Sequence, residues 1–181
     1  MKRWASVLLV IMIFIFSLPH TASQAMNFNG MGMHSGMSVR SENEYFLQMI
    51  PHHEEAIEAA EILFEKSERA EMKEFAETII RVQSEEIKEM RAWLAAWYPE
   101  NDQISDYQPM MRDLNTLAGD ELDRAFLADM IPHHMAAVMM SQQFLARGLS
   151  EHAETIPFAK EIRDAQRDEI HQMMNWMSKW C

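Results

Sequence analysis

The chain contains one unit twice, which confines it to folds that two copies of that unit can build. Tyr45–His53 reads YFLQMIPHH and Phe126–His134 reads FLADMIPHH. Met49-Ile50-Pro51-His52-His53 returns 81 positions later as Met130-Ile131-Pro132-His133-His134, and the pairs Ala56/Ala137 and Ile57/Val138 continue the register. Phe75, Ala76, Ile79, Gln83, Glu86, Ile87, Met90, Trp93 and Trp97 return 83 positions later as Phe158, Ala159, Ile162, Gln166, Glu169, Ile170, Met173, Trp176 and Trp180. The two-residue slip falls in a presumed turn. Matches this numerous and ordered mark a duplication in which each copy is one structural unit.

Each copy, about 41–98 and 120–180, reads as two helices. Ser41 to Glu44 fits a capping box ahead of the first. Phe46, Met49, His53, Ile57, Ala60 and Phe64 then recur every three or four residues, the period of one helical face. After a break near Ser67, Phe75, Ile79, Val82, Glu86, Met90, Trp93 and Trp97 keep that period. Abundant Ala and few Gly favour helix throughout. Tyr98–Gly119, with Pro99 and Pro109, reads as the connection between copies, and Gly148–Ser150 as the second hairpin turn. The expected fold is all-α, a four-helix bundle made from two tandem hairpins. Two arrangements remain open, with the hairpins side by side or head to tail. Pro51 and Pro132 fall inside helical patterns, where proline removes a hydrogen bond and kinks the helix at ~3 kcal/mol. A packing bend inherited by both copies, or a bent backbone shaping a site, would each account for them.

The start of the chain has the layout of a secretory signal. Lys2 and Arg3 precede an apolar stretch, Val7–Leu18, and small residues lead to an expected cleavage after Ala25. The stretch is short for a membrane span of about 20 residues. Residues 1–25 are therefore expected to be removed, 26–40 to form a Met-rich arm and 41–181 the bundle, in a periplasmic or secreted protein. Cleavage would shift the net charge from −12 to −14. So acidic a chain repels nucleic acid and anionic membrane surfaces. The single cysteine, Cys181, leaves no internal disulfide to staple the fold.

The 18 methionines are the unusual count. Thioethers fill cores flexibly, and they also ligate soft metals. Met49 lies three residues before His52 and four before His53, and Met130 stands likewise to His133 and His134. Such spacings share one helical face, so a thioether and an imidazole can look at one point. Di-iron bundles place Glu at that position before His. Neutral sulfur there favours Cu(I), or Ag(I), over hard cations. Met139 and Met140 extend the second motif. Glu86 and Glu169 are candidates to accept a proton from a ligating imidazole, or to form plain salt bridges. In the arm, Met31, Met33, His34 and Met37 lie close together among glycines. That segment can wrap a soft ion or serve as an inert linker.

In its two MIPHH segments and the Gln83/Glu86/Met90/Trp93 and Gln166/Glu169/Met173/Trp176 series, the chain resembles the domain-of-unknown-function family numbered three hundred and five. The likeness covers about residues 41 to 180. It implies a ferritin-like four-helix fold and Cu(I) or Ag(I) binding through Met and His outside the cytoplasm. The matching positions are Met49, His52, His53, Met130, His133, His134 and Met140. Ala59 stands where the family often has Met, which implies a weaker site in the first copy.

The expected function is sequestration or transfer of copper, in metal resistance or homeostasis, with metal ions as ligands and a copper-export or copper-delivery protein as partner. No nucleophile, base and orienting group occur together, so no enzyme activity is expected. The alternatives are a metal-dependent oxidoreductase and a non-metal interaction protein with a Met-rich surface.

Overall fold

The computed structural model describes residues 38–100 and 107–180. Among them are four helices and no strand: α1 (Glu42–Lys66), α2 (Ala70–Trp97), α3 (Gly119–Ala146) and α4 (Thr155–Trp180). None is long and apolar enough to cross a membrane. The expected signal peptide and the arm residues Met31, Met33, His34 and Met37 lie outside the described residues, as does Cys181.

The helix ends follow from local chemistry. Ser41 Oγ accepts the Glu44 N–H at 3.1 Å, one half of the expected capping box. The other half is displaced by a residue, because the Glu44 carboxylate takes the Arg40 N–H at 2.8 Å and pairs with the Arg40 side chain. Helix α3 stops in a Schellman turn. Leu149 N–H reaches Phe144 O at 3.2 Å and Gly148 N–H reaches Leu145 O at 3.2 Å. Gly148 has φ 62°, a left-handed conformation that suits glycine.

The hairpins pack antiparallel through α1 and α3. Tyr45, near the start of α1, stacks on Phe144, near the end of α3, with ring centroids 4.6 Å apart. Its hydroxyl lies 2.9 Å from Ser141 Oγ. Two apolar clusters result. One joins the end of α1 and start of α2 to the start of α3 and end of α4, through residues such as Leu63, Phe75, Phe126 and Met173. The other joins the opposite ends, through Phe46, Met90, Phe144 and Phe158. Both contain residues from all four helices.

One sequence expectation needs correction. The helical period puts Phe64 on the buried face of α1, but it is 44% exposed while Leu63 is 0% exposed. The buried stripe runs Met49, His53, Ala56, Ala60, Leu63, alternating steps of four and three. That spacing averages 3.5 residues per turn and follows a bundle seam. Phe64 falls off it, and the Lys73 ammonium stands 5.7 Å from its ring.

The duplication also shapes the two ends of the bundle. Glu42 at the start of α1 is fully buried. It accepts His152 Nδ1 at 2.6 Å, the N–H groups of Glu151 and His152 at 2.9 and 3.1 Å, Thr155 Oγ1 at 2.9 Å and Tyr98 OH at 3.0 Å. The His152 ring stacks on Trp97 at 3.8 Å. At the other end the repeat-related residues are Asp123, Arg69 and Trp180. Arg69 Nε lies 3.1 Å from Asp123 Oδ2, and its guanidinium sits 4.5 Å over Trp180. Each end thus ties a buried carboxylate to a ring-stacked cation or imidazole from the turn of the other hairpin.

Candidate metal centre

Between the two apolar clusters lies a polar layer. His52, His53, His133 and His134 are 0–1% exposed, and Gln83 and Gln166 are 3% exposed. These are midpoints of all four helices, so antiparallel packing stacks the repeated motifs at one level. Pro51 and Pro132 stand immediately before the two histidine pairs, inside α1 and α3. The His52 and His133 rings lie 3.7 Å apart at 31°.

Each imidazole presents one nitrogen to an oxygen. His52 Nε2 lies 2.9 Å from the carbonyl oxygen of His133. A carbonyl can only accept, so Nε2 carries the proton. His134 Nε2 donates to Glu169 Oε2 at 2.8 Å. His53 Nε2 stands 2.8 Å from Glu86 Oε2, at an angle short of a full hydrogen bond. His133 Nε2 donates to Glu55 Oε2 at 3.1 Å. The Nδ1 atoms of all four histidines are buried with no hydrogen-bond partner among the described residues, as are Gln83 Oε1 and both polar atoms of the Gln166 amide. A buried polar atom without a partner is costly and usually marks a place for water or a ligand. With Nε2 protonated, each Nδ1 is a lone pair.

Burial keeps the His52 and His133 rings uncharged. Burial drives His133 down to about 4, only partly opposed by its bond to Glu55. Burial and the neighbouring imidazoles hold His52 well below the usual histidine value. Burial raises the Glu55 carboxyl, but bonds from His133, Tyr107 and Met111 outweigh it and bring it down to about 2. A buried histidine with a depressed folded pKa destabilises the fold once the unfolded chain can protonate and the native ring cannot. The metal-free protein is therefore expected to lose stability as pH falls from 6.5 towards 4, by on the order of 3 kcal/mol for His133 alone. Urea midpoints across that range check this. A flat profile from pH 7 to 4 would contradict it.

The thioethers divide in an unexpected way. Met49, Met90 and Met140 share one apolar cluster. Met130 and Met173 share the other, together with Ala59. All five methionines are 0–2% exposed. Because α1 and α3 run antiparallel, Met140 of the second copy joins Met49 of the first. The methionine missing at Ala59 is therefore missing from the cluster of Met130. The expectation counted this deficit against the first copy, whereas the packing sets it beside Met130 of the second. Met139 is only partly buried on α3. Among the described residues no three His, Cys, Asp or Glu side chains are grouped to hold an ion, so imidazoles and carboxylates alone do not build a site here.

Two partners of the layer escaped sequence reasoning. Glu55 has Ala136 at its repeat-related position, so the duplication conceals it. Tyr107 lies in a segment read only as connection. Its hydroxyl donates to Glu55, and its ring stands edge-on to His52 at 6.0 Å. Glu86 and Glu169, singled out from the repeat, do meet His53 and His134.

Fold and layer together define an all-helical bundle with a buried imidazole layer flanked by thioethers. The sequence profile of the family described as "Domain of unknown function (DUF305)" matches residues 42–108 and 106–177. The chain belongs to that family. It is similar to CopM, solved in Cu(I)-, silver- and Cu(II)-bound forms, at 34% identity and TM-scores of 0.68, 0.69 and 0.70. Those matches cover 78–80% of this chain and 98–100% of CopM. A DUF305 fragment from Deinococcus radiodurans is 26% identical with a TM-score of 0.66, covering 78% of this chain and 98% of the fragment. A DUF305 protein from Streptomyces coelicolor, at 23% identity and a TM-score of 0.68, shares the fold over 77% of this chain and 94% of its own. No curated protein matches the chain by sequence.

Proposed function

We propose that this is an exported protein that binds Cu(I), and Ag(I) by the same chemistry, in order to sequester it or hand it on. The observation that carries the reading is the set of four buried Nδ1 lone pairs. Each belongs to a ring whose Nε2 is turned to an oxygen. Metal-ligating histidines typically donate their other N–H to a carboxylate or carbonyl, which fixes the tautomer and orients the ring. Neutral imidazole with neutral thioether suits a soft monovalent ion. Among the described residues His and carboxylates alone are not grouped to hold an ion, and the buried thioethers are the donors that would complete the set. Met49, Met90 and Met140 with His53 form the richer set, and Met130 and Met173 with His134 the poorer. His52 and His133 lie between them. CopM, which shares the fold, has been solved with copper and with silver bound. Export rests on the signal-like N-terminus, and Met31, Met33, His34 and Met37 form a further soft-ligand group on the arm. A copper-delivery or copper-export protein is the expected partner.

Titration with Cu(I) against a competing chelator, combined with X-ray absorption at the copper edge, tests this. Mixed sulfur and nitrogen coordination is expected, and His53→Ala with His134→Ala should weaken uptake. A copper shell of nitrogen and oxygen alone, or uptake unaffected by both substitutions, would overturn the assignment. Glu86→Gln and Glu169→Gln are expected to lower affinity by roughly 10- to 100-fold through the histidines they orient. The same titrations measure it.

A further inference from the structure

The connection between the copies is clipped onto the imidazole layer by one carboxylate. Glu55 Oε1 accepts the backbone N–H groups of Met110 and Met111, both at 2.8 Å. Glu55 Oε2 accepts the hydroxyl of Tyr107 and, at 3.1 Å, His133 Nε2. The same hydroxyl stands 3.4 Å from His133 Nε2. One side chain of α1 therefore holds three residues of the crossover and one imidazole of α3. The far end of this strap is fixed to α3, where Asp129 accepts the N–H, Nε and a terminal nitrogen of Arg112 at 3.1, 2.6 and 2.6 Å.

The strap differs from the other supports of the layer. Glu86 and Glu169, behind His53 and His134, stand in the middle of long helices. Moving them requires a helix to move. Tyr107–Met111 is not helical, and short irregular segments held by a few bonds open at lower free energy than packed helices. Just outside lies an open groove of about 230 Å³ whose lining includes Glu55, Glu58, Asp113 and Met111, with Arg112 as the opposing charge. A cation arriving there meets the carboxylates of Glu55, Glu58 and Asp113, with Glu55 between it and His133.

We propose that Glu55 and Tyr107 form a latch that closes the crossover over His52 and His133, and that a soft monovalent cation exchanges with the layer when this latch opens. The proposal rests on the metal-binding reading above. Tyr107 acts as a positioning residue. Burial and Glu55 raise its pKa, so it stays a hydroxyl donor. Glu55 binds the strap only by accepting hydrogen bonds, so removing one donor loosens the strap without removing any proposed ligand.

The test is Tyr107→Phe, which keeps the ring against His52 and deletes only the donor. Two quantities are read on the whole protein. Hydrogen exchange of the Met110 and Met111 amides reports strap opening with no metal present. Stopped-flow capture of Cu(I), and its removal by bathocuproine disulfonate, report exchange. The expected result is faster amide exchange, with capture and removal both accelerated about tenfold, the lower end for losing a hydrogen bond to a charged group. The equilibrium affinity should stay within about twofold, since a gate changes both rates alike. Faster amide exchange with unchanged metal rates would overturn the latch. So would a fall in affinity carried by release alone, which would make Tyr107 part of the binding set. The parent reading fails separately, if the variant carrying His52→Ala, His133→Ala, His53→Ala and His134→Ala takes up Cu(I) as well as the wild-type protein.

Discussion

A protein carrying both Met49→Leu and Met140→Leu is expected to lose its tighter Cu(I) equivalent while keeping its fold. The two methionines come from different copies of the repeat, yet they share one apolar cluster with Met90. Both are buried, and Leu replaces Met in a core for about 1.5 kcal/mol or less. The change therefore removes sulfur without opening a large cavity. A metal site commonly loses roughly 10- to 100-fold in affinity when even a supporting partner is removed, so two lost thioethers should reach about the hundredfold end or beyond. Competition titration should show the steep first step shifted and the second step intact. Met130→Leu should shift only the second step, because Met130 belongs to the cluster that contains Ala59. Ala59→Met should tighten that step, at a possible overpacking cost of about 1–3 kcal/mol that thermal melting would reveal. If the double substitution left both steps in place, the thioethers would not be ligands. If Met130→Leu weakened the first step, the pairing across the bundle would be misassigned.

That pairing shows where sequence reasoning stops. The duplication predicts four helices, the turn at Ser67 and the turn after Gly148, because periodicity and breakers are local properties. It also identifies both MIPHH motifs and the carboxylates Glu86 and Glu169, which meet His53 and His134 at 2.8 Å. It does not predict that α1 and α3 run antiparallel face to face. Only this direction moves Met140 to the side of Met49, and so moves the deficit at Ala59 to the side of Met130. Glu55 is hidden for a different reason. Repeat comparison detects what both copies keep, and Glu55 faces Ala136 in the alignment. Its importance comes from the crossover, which exists once. Tyr107 is hidden because a segment with prolines and no period reads as connection, whatever its side chains reach. Phe64 misleads because a period of three or four residues, counted without the seam, admits either Leu63 or Phe64.

The largest stability effect is expected at Glu42. Its carboxylate is fully buried and accepts five hydrogen bonds, from Tyr98, Glu151, Thr155 and both the side chain and backbone of His152. Glu42→Ala leaves those donors facing each other in a closed space. Leaving a buried donor without its acceptor costs about 1–3 kcal/mol, and with five donors affected the total should reach about 3–5 kcal/mol. In a domain of this size that lowers the melting temperature by roughly 10 °C. The repeat supplies an internal control at Asp123, which faces Arg69 but has neither carboxylate oxygen in a well-formed hydrogen bond. The two acids should respond oppositely to pH. Burial pushes Glu42 up, but its bonds outweigh this and lower its pKa. Its contribution is therefore present above the ordinary carboxylate range and is lost as pH falls through the depressed value. Burial dominates at Asp123 and raises its pKa, so protonation there relieves a strain and favours the fold. Asp123→Asn should accordingly cost far less than Glu42→Ala at pH 7. Glu42→Ala should lose most of its effect in acid, because the wild-type carboxylate is then also neutral. Melting temperatures of both variants between pH 7 and the acid limit of folding measure this. Equal costs at the two ends would mean that the five bonds at Glu42 add nothing beyond burial.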